Sequence, residues 1–171
     1  GRIDEAIPVF EKAREQSLES LGAAHSTTRH ITLNLGVNYI DRDRLEDGIA
    51  LIAETLSVQK AGDGSTDPAI PSLIRAHVTS HEQRKRYDCA VALQRLLVET
   101  LRRETKTAPL ETATEVSRLG GDLLKLDKFD EARNELQQAL ETFTAKAPDD
   151  WRRWVTQTML GTALTGLKEF D

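Results

Sequence analysis

One short pattern returns along this chain at an almost constant distance, and that return limits what the chain can fold into. Its fullest copy is Phe129-Asp130-Glu131-Ala132: a large apolar residue, two acids, then a small side chain. Looser copies are Ile3-Asp4-Glu5-Ala6, Leu45-Glu46-Asp47-Gly48 and Tyr87-Asp88-Cys89-Ala90, and a fifth begins at Phe170-Asp171. The leading residues Ile3, Leu45, Tyr87, Phe129 and Phe170 lie 42, 42, 42 and 41 positions apart. A fixed period of this kind marks a solenoid, in which one supersecondary unit repeats and each copy touches its neighbours.

A second pattern precedes each anchor: Leu35-Gly36 with Tyr39, Leu119-Gly120 with Leu123, and Leu160-Gly161 with Leu164. The remaining copy, His77-Val78 with His81, is degenerate. A glycine inside a helix costs about 1 kcal/mol relative to alanine. Its return at one phase therefore indicates two helices crossing closely, and each repeat reads as a helix pair. The first helix of a pair carries Leu-Gly; the second carries the anchor and the small residue.

Apolar periodicity and breakers predict helices over 2–20, 27–42, 45–60, 69–83, 86–104, 109–126, 128–145 and 150–167. Ser26 or Thr27 is the expected N-cap of the second helix, and Thr107 that of the sixth, with Pro109 near its start. Pro71 falls in a first turn, where proline is tolerated. Ala61 to Pro68 reads as a linker, and Pro148-Asp149-Asp150 as a break. Asp43, Lys85 and Asp127 occupy the tight turns within pairs. Asp4, Glu5, Glu46, Asp47, Asp130 and Glu131 open the second helices, where the helix dipole favours negative charge.

Composition agrees with helices and narrows function. Only 5% of residues are aromatic, 39% are apolar and 30% charged. A net charge of −5 argues against a general nucleic-acid binder, which would carry a basic face. One cysteine, Cys89, leaves no internal disulfide and leans the expected compartment toward the cytoplasm. No apolar run approaches the roughly 20 residues that span a bilayer, so no membrane partner is expected. The pattern starts and stops in mid-repeat, as in a piece of a longer array.

At this point the residues resemble a family. Leu35-Gly36-x-x-Tyr39 with Leu45-x-x-Gly48, Leu119-Gly120-x-x-Leu123 with Phe129-x-x-Ala132, and Leu160-Gly161-x-x-Leu164 with Phe170 look like tetratricopeptide repeats. They are similar to the long form found in kinesin light chains and bacterial repeat proteins. The segment Leu21-Gly22-Ala23-Ala24-His25-Ser26-Thr27-Thr28 resembles a degraded form of that family's inter-repeat loop. The resemblance implies an all-α, right-handed α-solenoid of antiparallel helix pairs over residues 1–171. It also implies a concave groove, lined by the first helices, that binds a peptide or protein. Carried over by position, the groove candidates are His30, Leu33, Asn34 and Val37, then Arg75, Thr79 and Glu82. Ser117, Arg118 and Lys125 follow, and finally Thr158 and Thr162. At the phase of Asn34 the other copies hold Ala76, Arg118 and Met159, so the family's peptide-binding Asn ladder is mostly missing, as is the clamp for a C-terminal carboxylate. The stretch Ala147-Pro148-Asp149-Asp150-Trp151-Arg152 is similar to the last repeats of long bacterial arrays, which often follow a serine/threonine kinase domain. The expected function is a non-enzymatic scaffold; the alternative is a regulatory or substrate-recruiting region of a larger signalling enzyme.

Other constellations have two readings each. His77, His81 and Cys89 could ligate zinc or, as three groups at loose spacing, simply pack; packing is expected, with no metal and no cofactor. A buried histidine pair would weaken this repeat at low pH. Trp151 and Trp154 could form a partner patch or cover the preceding pair, with one packed and one partly exposed. Arg75, Arg118 and Lys125 could receive an acidic or phosphorylated segment, or could pair with Glu82 and Asp122. Arg102-Arg103 and Arg152-Arg153 read as exposed faces. No Gly-x-Ser-x-Gly elbow, phosphate-cradling loop or catalytic site is legible.

Overall fold

The computed structural model describes residues 2–61, 69–103 and 109–168, and all regular secondary structure among them is helical. The helices are α1 (Arg2–Leu21), α2 (Ser26–Asp41), α3 (Leu45–Ala61), α4 (Ala69–Gln83), α5 (Tyr87–Arg103), α6 (Pro109–Lys125), α7 (Phe129–Lys146) and α8 (Trp151–Leu167). Each lies within a residue or two of its expected span. Most of the expected linker, Thr107 and Phe170 lie outside the described residues, as does the side chain of Ile3.

Two compact units divide the chain, Gly1–Leu73 and Ile74–Asp171. Within the first, α1 packs on α2 and α2 on α3. Within the second, α5 packs on α6, α6 on α7 and α7 on α8, and α6 also touches α8. The even-numbered helices are the first members of the pairs and the odd-numbered ones the second.

Three of the second helices, α3, α5 and α7, repeat one buried stripe. Counting from the anchors Leu45, Tyr87 and Phe129, the third residue is Gly48, Ala90 or Ala132, and all three are buried. The seventh is Ile52, Gln94 or Leu136, each at 0% exposure. The tenth is Thr55, Leu97 or Ala139, again buried. This is the i, i+3, i+4 periodicity of a helix face turned inward. The anchors themselves are only half-buried, so they border the core rather than fill it. Phe129 instead covers the adjacent helix: a Cβ added to Gly166 of α8 would lie 2.5 Å from Phe129 Cε1.

The small residues act as the repeat pattern predicts. A Cβ on Gly36 would come within 2.8 Å of the Gly48 carbonyl oxygen and 3.0 Å of Ile52 Cγ1, so α2 and α3 meet backbone to backbone. A Cβ on Gly120 would meet Leu136 Cγ at 2.5 Å. Gly161 occupies the same phase of α8, yet nothing stands within 4 Å of its added Cβ.

The turns repeat as faithfully as the stripe. Asp43, Lys85, Asp127 and Lys168 all have φ between 54° and 62°, the left-handed region. Around the first three, the N–H of Asp43, Lys85 and Asp127 donates to Ile40, Glu82 and Leu124, and the following N–H donates to Tyr39, His81 and Leu123. These paired bonds form the Schellman motif, which glycine usually closes because an L side chain is strained there. At the other ends, His25 rather than Ser26 or Thr27 caps α2, its Nδ1 accepting from Thr27 N at 3.2 Å. Asp150 caps α8 through Arg152 N at 2.9 Å.

Ion pairs join neighbouring repeats at separations just short of the period. Arg14 Nη2 donates to Glu54 at 2.8 and 2.9 Å, linking α1 to α3. Arg102 Nη2 donates to Glu135 at 2.6 Å and to Gln138 at 2.9 Å, linking α5 to α7, and Arg95 pairs with Glu131. Arg102 is thus a bridge rather than a bare exposed face.

Replacing Gly48 by alanine should cost about 1–3 kcal/mol, because the new methyl meets backbone that cannot swing away. Gly161→Ala, placed in open space within a helix, should instead gain up to about 1 kcal/mol. Lys85→Gly should also stabilise, by roughly 1 kcal/mol, by relieving a left-handed lysine. Urea denaturation of the three variants checks the signs.

Candidate partner-binding cleft on the first helices

Neighbouring first helices of the second unit stack at the same phase. On α6, Thr114 and Arg118 lie one turn apart on one face, while Ala113 and Ser117 lie on the adjoining face and are buried. On α8, Val155 and Met159 stand 41 residues beyond Thr114 and Arg118 and hold the same phase. The two rows enclose a cleft of about 440 Å³. Thr114 and Arg118 form one wall, Trp151, Val155 and Met159 the other, and the Phe143 ring lies between them. Ser117 Oγ and Thr156 Oγ1 hydrogen-bond at 2.7 Å and pin α6 to α8. Arg152 adds a second tie, donating from Nη1 to Thr114 Oγ1 at 2.8 Å while its other nitrogens hold Asp150. This guanidinium keeps the Asp150 carboxyl down at about 2.

Two arginines along this face, Arg75 and Arg118, are already engaged. Arg118 donates from Nε to Glu82 Oε1 at 2.6 Å and from Nη2 to Glu82 Oε2 at 2.5 Å and Thr79 Oγ1 at 2.7 Å. Arg75 donates from Nε to Glu115 Oε1 at 2.6 Å and also pairs with Glu111. Glu115 accepts in addition from Gln94 Nε2 at 2.7 Å. Gln94 holds the core position that Ile52 and Leu136 fill elsewhere, so the stripe turns polar in this repeat.

Asp122 is the exception among these acids. It is buried, its Oδ2 receives no hydrogen bond, and its carboxyl neighbour is Glu82. Burial first, and the Glu82 charge second, raise its pKa from 3.8 to about 7 against the opposing pull of Arg118 and Lys125.

The expected site residues therefore separate into groups. Thr79, Glu82 and Arg118 come together, and Arg75 joins Glu111 and Glu115 beside them. Of the expected set, Arg118 and Ser117 line the cleft. Ser117 does so from below, since it is buried where α8 covers it. Leu33 and Val37 are buried at 0% and 4% exposure and belong to the core, which corrects their assignment to a groove surface. His30 and Asn34 are half-buried in the first unit. Lys125, Thr158 and Thr162 are exposed, and the two threonine hydroxyls turn back on carbonyls of their own helix.

Val155 and Thr114 are functional candidates that sequence reasoning missed; stepping one turn back from Arg118 and Met159 would have found them. Both tryptophans are exposed, Trp151 at 69% and Trp154 at 53%, so neither is packed away as expected. His81 and Cys89 are buried but His77 is only half-buried, which removes the expected buried histidine pair. Among the described residues no group of three or more His, Cys, Asp or Glu side chains is placed to hold a metal ion. Nor is any helix among them long and apolar enough to cross a membrane.

No family model and no curated protein matches the chain. Solved structures do. The nearly identical TPR-like repeats assigned to a kinesin light chain of Podosopora anserina match with a TM-score of 0.58 at 15% identity, over 99% of this chain and 81% of that one. A single-substitution variant of those repeats matches at 0.55 and 14%, over 99% and 80%. BtubC (BKLC) from P. vanneervenii matches at 0.50 and 18%, over 85% of this chain and 58% of its own. The chain has the TPR-like repeat fold, as its sequence pattern predicts; at these identities the likeness is one of fold.

Because Asp122 carries a raised carboxyl, folding favours its protonated form. Between its unfolded value near 3.8 and about 7 the folded state holds a proton that the unfolded state releases, so stability is lost as pH rises through that window. Asp122→Asn should therefore raise the thermal midpoint at pH 8, with a gain that shrinks steadily toward pH 4.5. Paired thermal melts across that range check it, and a difference independent of pH would rule out the raised carboxyl.

Proposed function

We propose that this chain is a non-enzymatic protein-interaction scaffold that holds a segment of a partner on the first helices of its pairs. The observation that carries this reading is the cleft between α6 and α8, with a tryptophan left 69% exposed on its rim. Large exposed aromatic surface beside an apolar depression is costly in water unless it serves binding, and tryptophan is enriched among residues that dominate interfaces. The TPR-like fold supports the reading, since the first helices of such repeats form a continuous face with room for an extended segment. An acidic or phosphorylated segment is less well served, because Arg75 and Arg118 already hold Glu111, Glu115 and Glu82.

Trp151→Ala and Val155→Asp remove the rim without touching the core. Quantitative capture of partners on immobilised protein should fall about 30-fold or more for each, as for a central interface residue. Trp154→Ala, whose ring is covered by the Arg153 guanidinium at 3.7 Å and does not line the cleft, should leave capture unchanged. Equal capture by all variants would move binding off this face.

A further inference from the structure

Where α3, α5 and α7 bury the residues three, seven and ten places after their anchors, α1 does not. Its equivalents Ala6, Phe10 and Ala13 are only half-buried, and Val9 beside them is 67% exposed. The converse holds on α8. Leu35, Gly36 and Tyr39 of α2 are buried, as are Leu119, Gly120 and Leu123 of α6. At the same phases of α8, Leu160 and Leu164 are half-buried and Gly161 is exposed. Among the described residues, the large apolar side chains left exposed all belong to these two helices: Val9 and Leu21 on α1, and Trp151, Trp154 and Val155 on α8.

The two open faces are the two halves of one contact. In the α2–α3 pair, Leu51 Cβ and Ile52 Cγ1 stand 3.3 and 3.0 Å from a Cβ added to Gly36. Val9 and Phe10 of α1 hold the phases of Leu51 and Ile52, 42 places earlier. Gly161 of α8 holds the phase of Gly36, and nothing stands within 4 Å of its added Cβ. In the α6–α7 pair, Ala113 borders the same space as Ala139. The matching residues are Trp154 on α8 and Ala13 on α1, a large ring against a small side chain. Thr158 and Thr165 flank Gly161, and their hydroxyls donate to carbonyls of their own helix at 3.0 and 2.9 Å. They can therefore be covered without losing a hydrogen bond. Charge is complementary as well: α1 carries five acids against three bases, whereas α8 carries two arginines and no acid.

We propose that this chain associates head to tail with a second copy of itself, α1 of one copy packing on α8 of the other as α3 packs on α2. Val9 and Phe10 then lie over Gly161, and Trp154 lies against Ala13. The contact is heterologous, one copy giving α1 and the other α8. It leaves the cleft free, because Val155 and Met159 stand on the far side of α8 from Gly161. A single helix face is a small interface, so the affinity is modest, with Kd about 0.1 mM.

Sedimentation velocity on the whole chain, from about 5 μM to about 1 mM, should show the mean mass rising with concentration. Val9→Glu and Gly161→Glu change exposed positions, and each should weaken self-association at least about tenfold. Gly161→Ala, which should stabilise the fold, should weaken association too, because the methyl holds Phe10 of the other copy away. Mixed in equal amounts, the two Glu variants should form a 1:1 complex with the affinity of the unaltered chain. One of them keeps α8 intact and the other keeps α1. Single chains at every concentration would overturn the inference. So would a mixture that associates no better than either Glu variant alone, which would mark a contact between like faces. Association unmoved by all three substitutions would place the contact elsewhere and overturn it as well.

Discussion

Gly36 and Gly48 face each other with no side chain between them, and the rest of a helix pair depends on that closeness. When two backbones approach this far, the side chains flanking the contact can interdigitate on both sides. Ile52 and Leu51 then reach over Gly36, and Ile40 over Gly48. The pair α6–α7 achieves the same seat differently, with Leu136 laid over Gly120 and Ala132 fully buried. In both, one small residue on each helix sets the spacing, and a large residue one turn on fills what remains. The left-handed turns that join the pairs are the second half of the device. They return the chain within three or four residues, so the second helix starts already in register with the first.

The repeat formed by α4 and α5 departs from this design, and its departure organises the second unit. Where the other second helices bury Ile52 or Leu136, α5 buries Gln94. A buried amide needs partners, and Glu115 of α6 supplies both its carboxylate and its backbone carbonyl. That carboxylate in turn needs a cation, which Arg75 of α4 provides at 2.6 Å. One polar residue in the core has thereby drawn in charges from two further helices. The arginines of α4 and α6 belong to this internal network of charge.

Beyond α6 the character changes again. At the phase where α6 carries Thr114 and Arg118, α8 carries Val155 and Met159, with Trp151 a further turn back. The first-helix face thus passes from charged and paired to apolar and open within the span of two neighbouring helices. The Ser117–Thr156 and Arg152–Thr114 bonds fix the width of the space between them. A depression held open by such ties is preformed, so little of a ligand's binding energy is lost to rearranging it.

The sequence by itself determined the helices, their boundaries, the turns and the pairing, because each of these rests on interactions within one turn or one hairpin. Glycine and alanine at a fixed phase, with anchors 42 apart, state that geometry directly. It was weaker on which face of a helix is free. Leu33 and Asn34 are neighbours in the chain, yet about 100° apart around the helix, so an error of one position puts a core residue on the surface. Asn34 is half-buried whereas Leu33 is at 0%. The partners of the charges were decided only by the tertiary structure. Arg75 with Glu111 and Glu115, and Arg118 with Glu82, are separated by 36 to 40 residues, slightly less than one period. Which acid falls opposite which arginine depends on how far stacked helices shift along one another, and no local pattern records that shift. The open cleft has the same origin: Val155, Met159 and Thr114 become one surface only when α8 is laid beside α6.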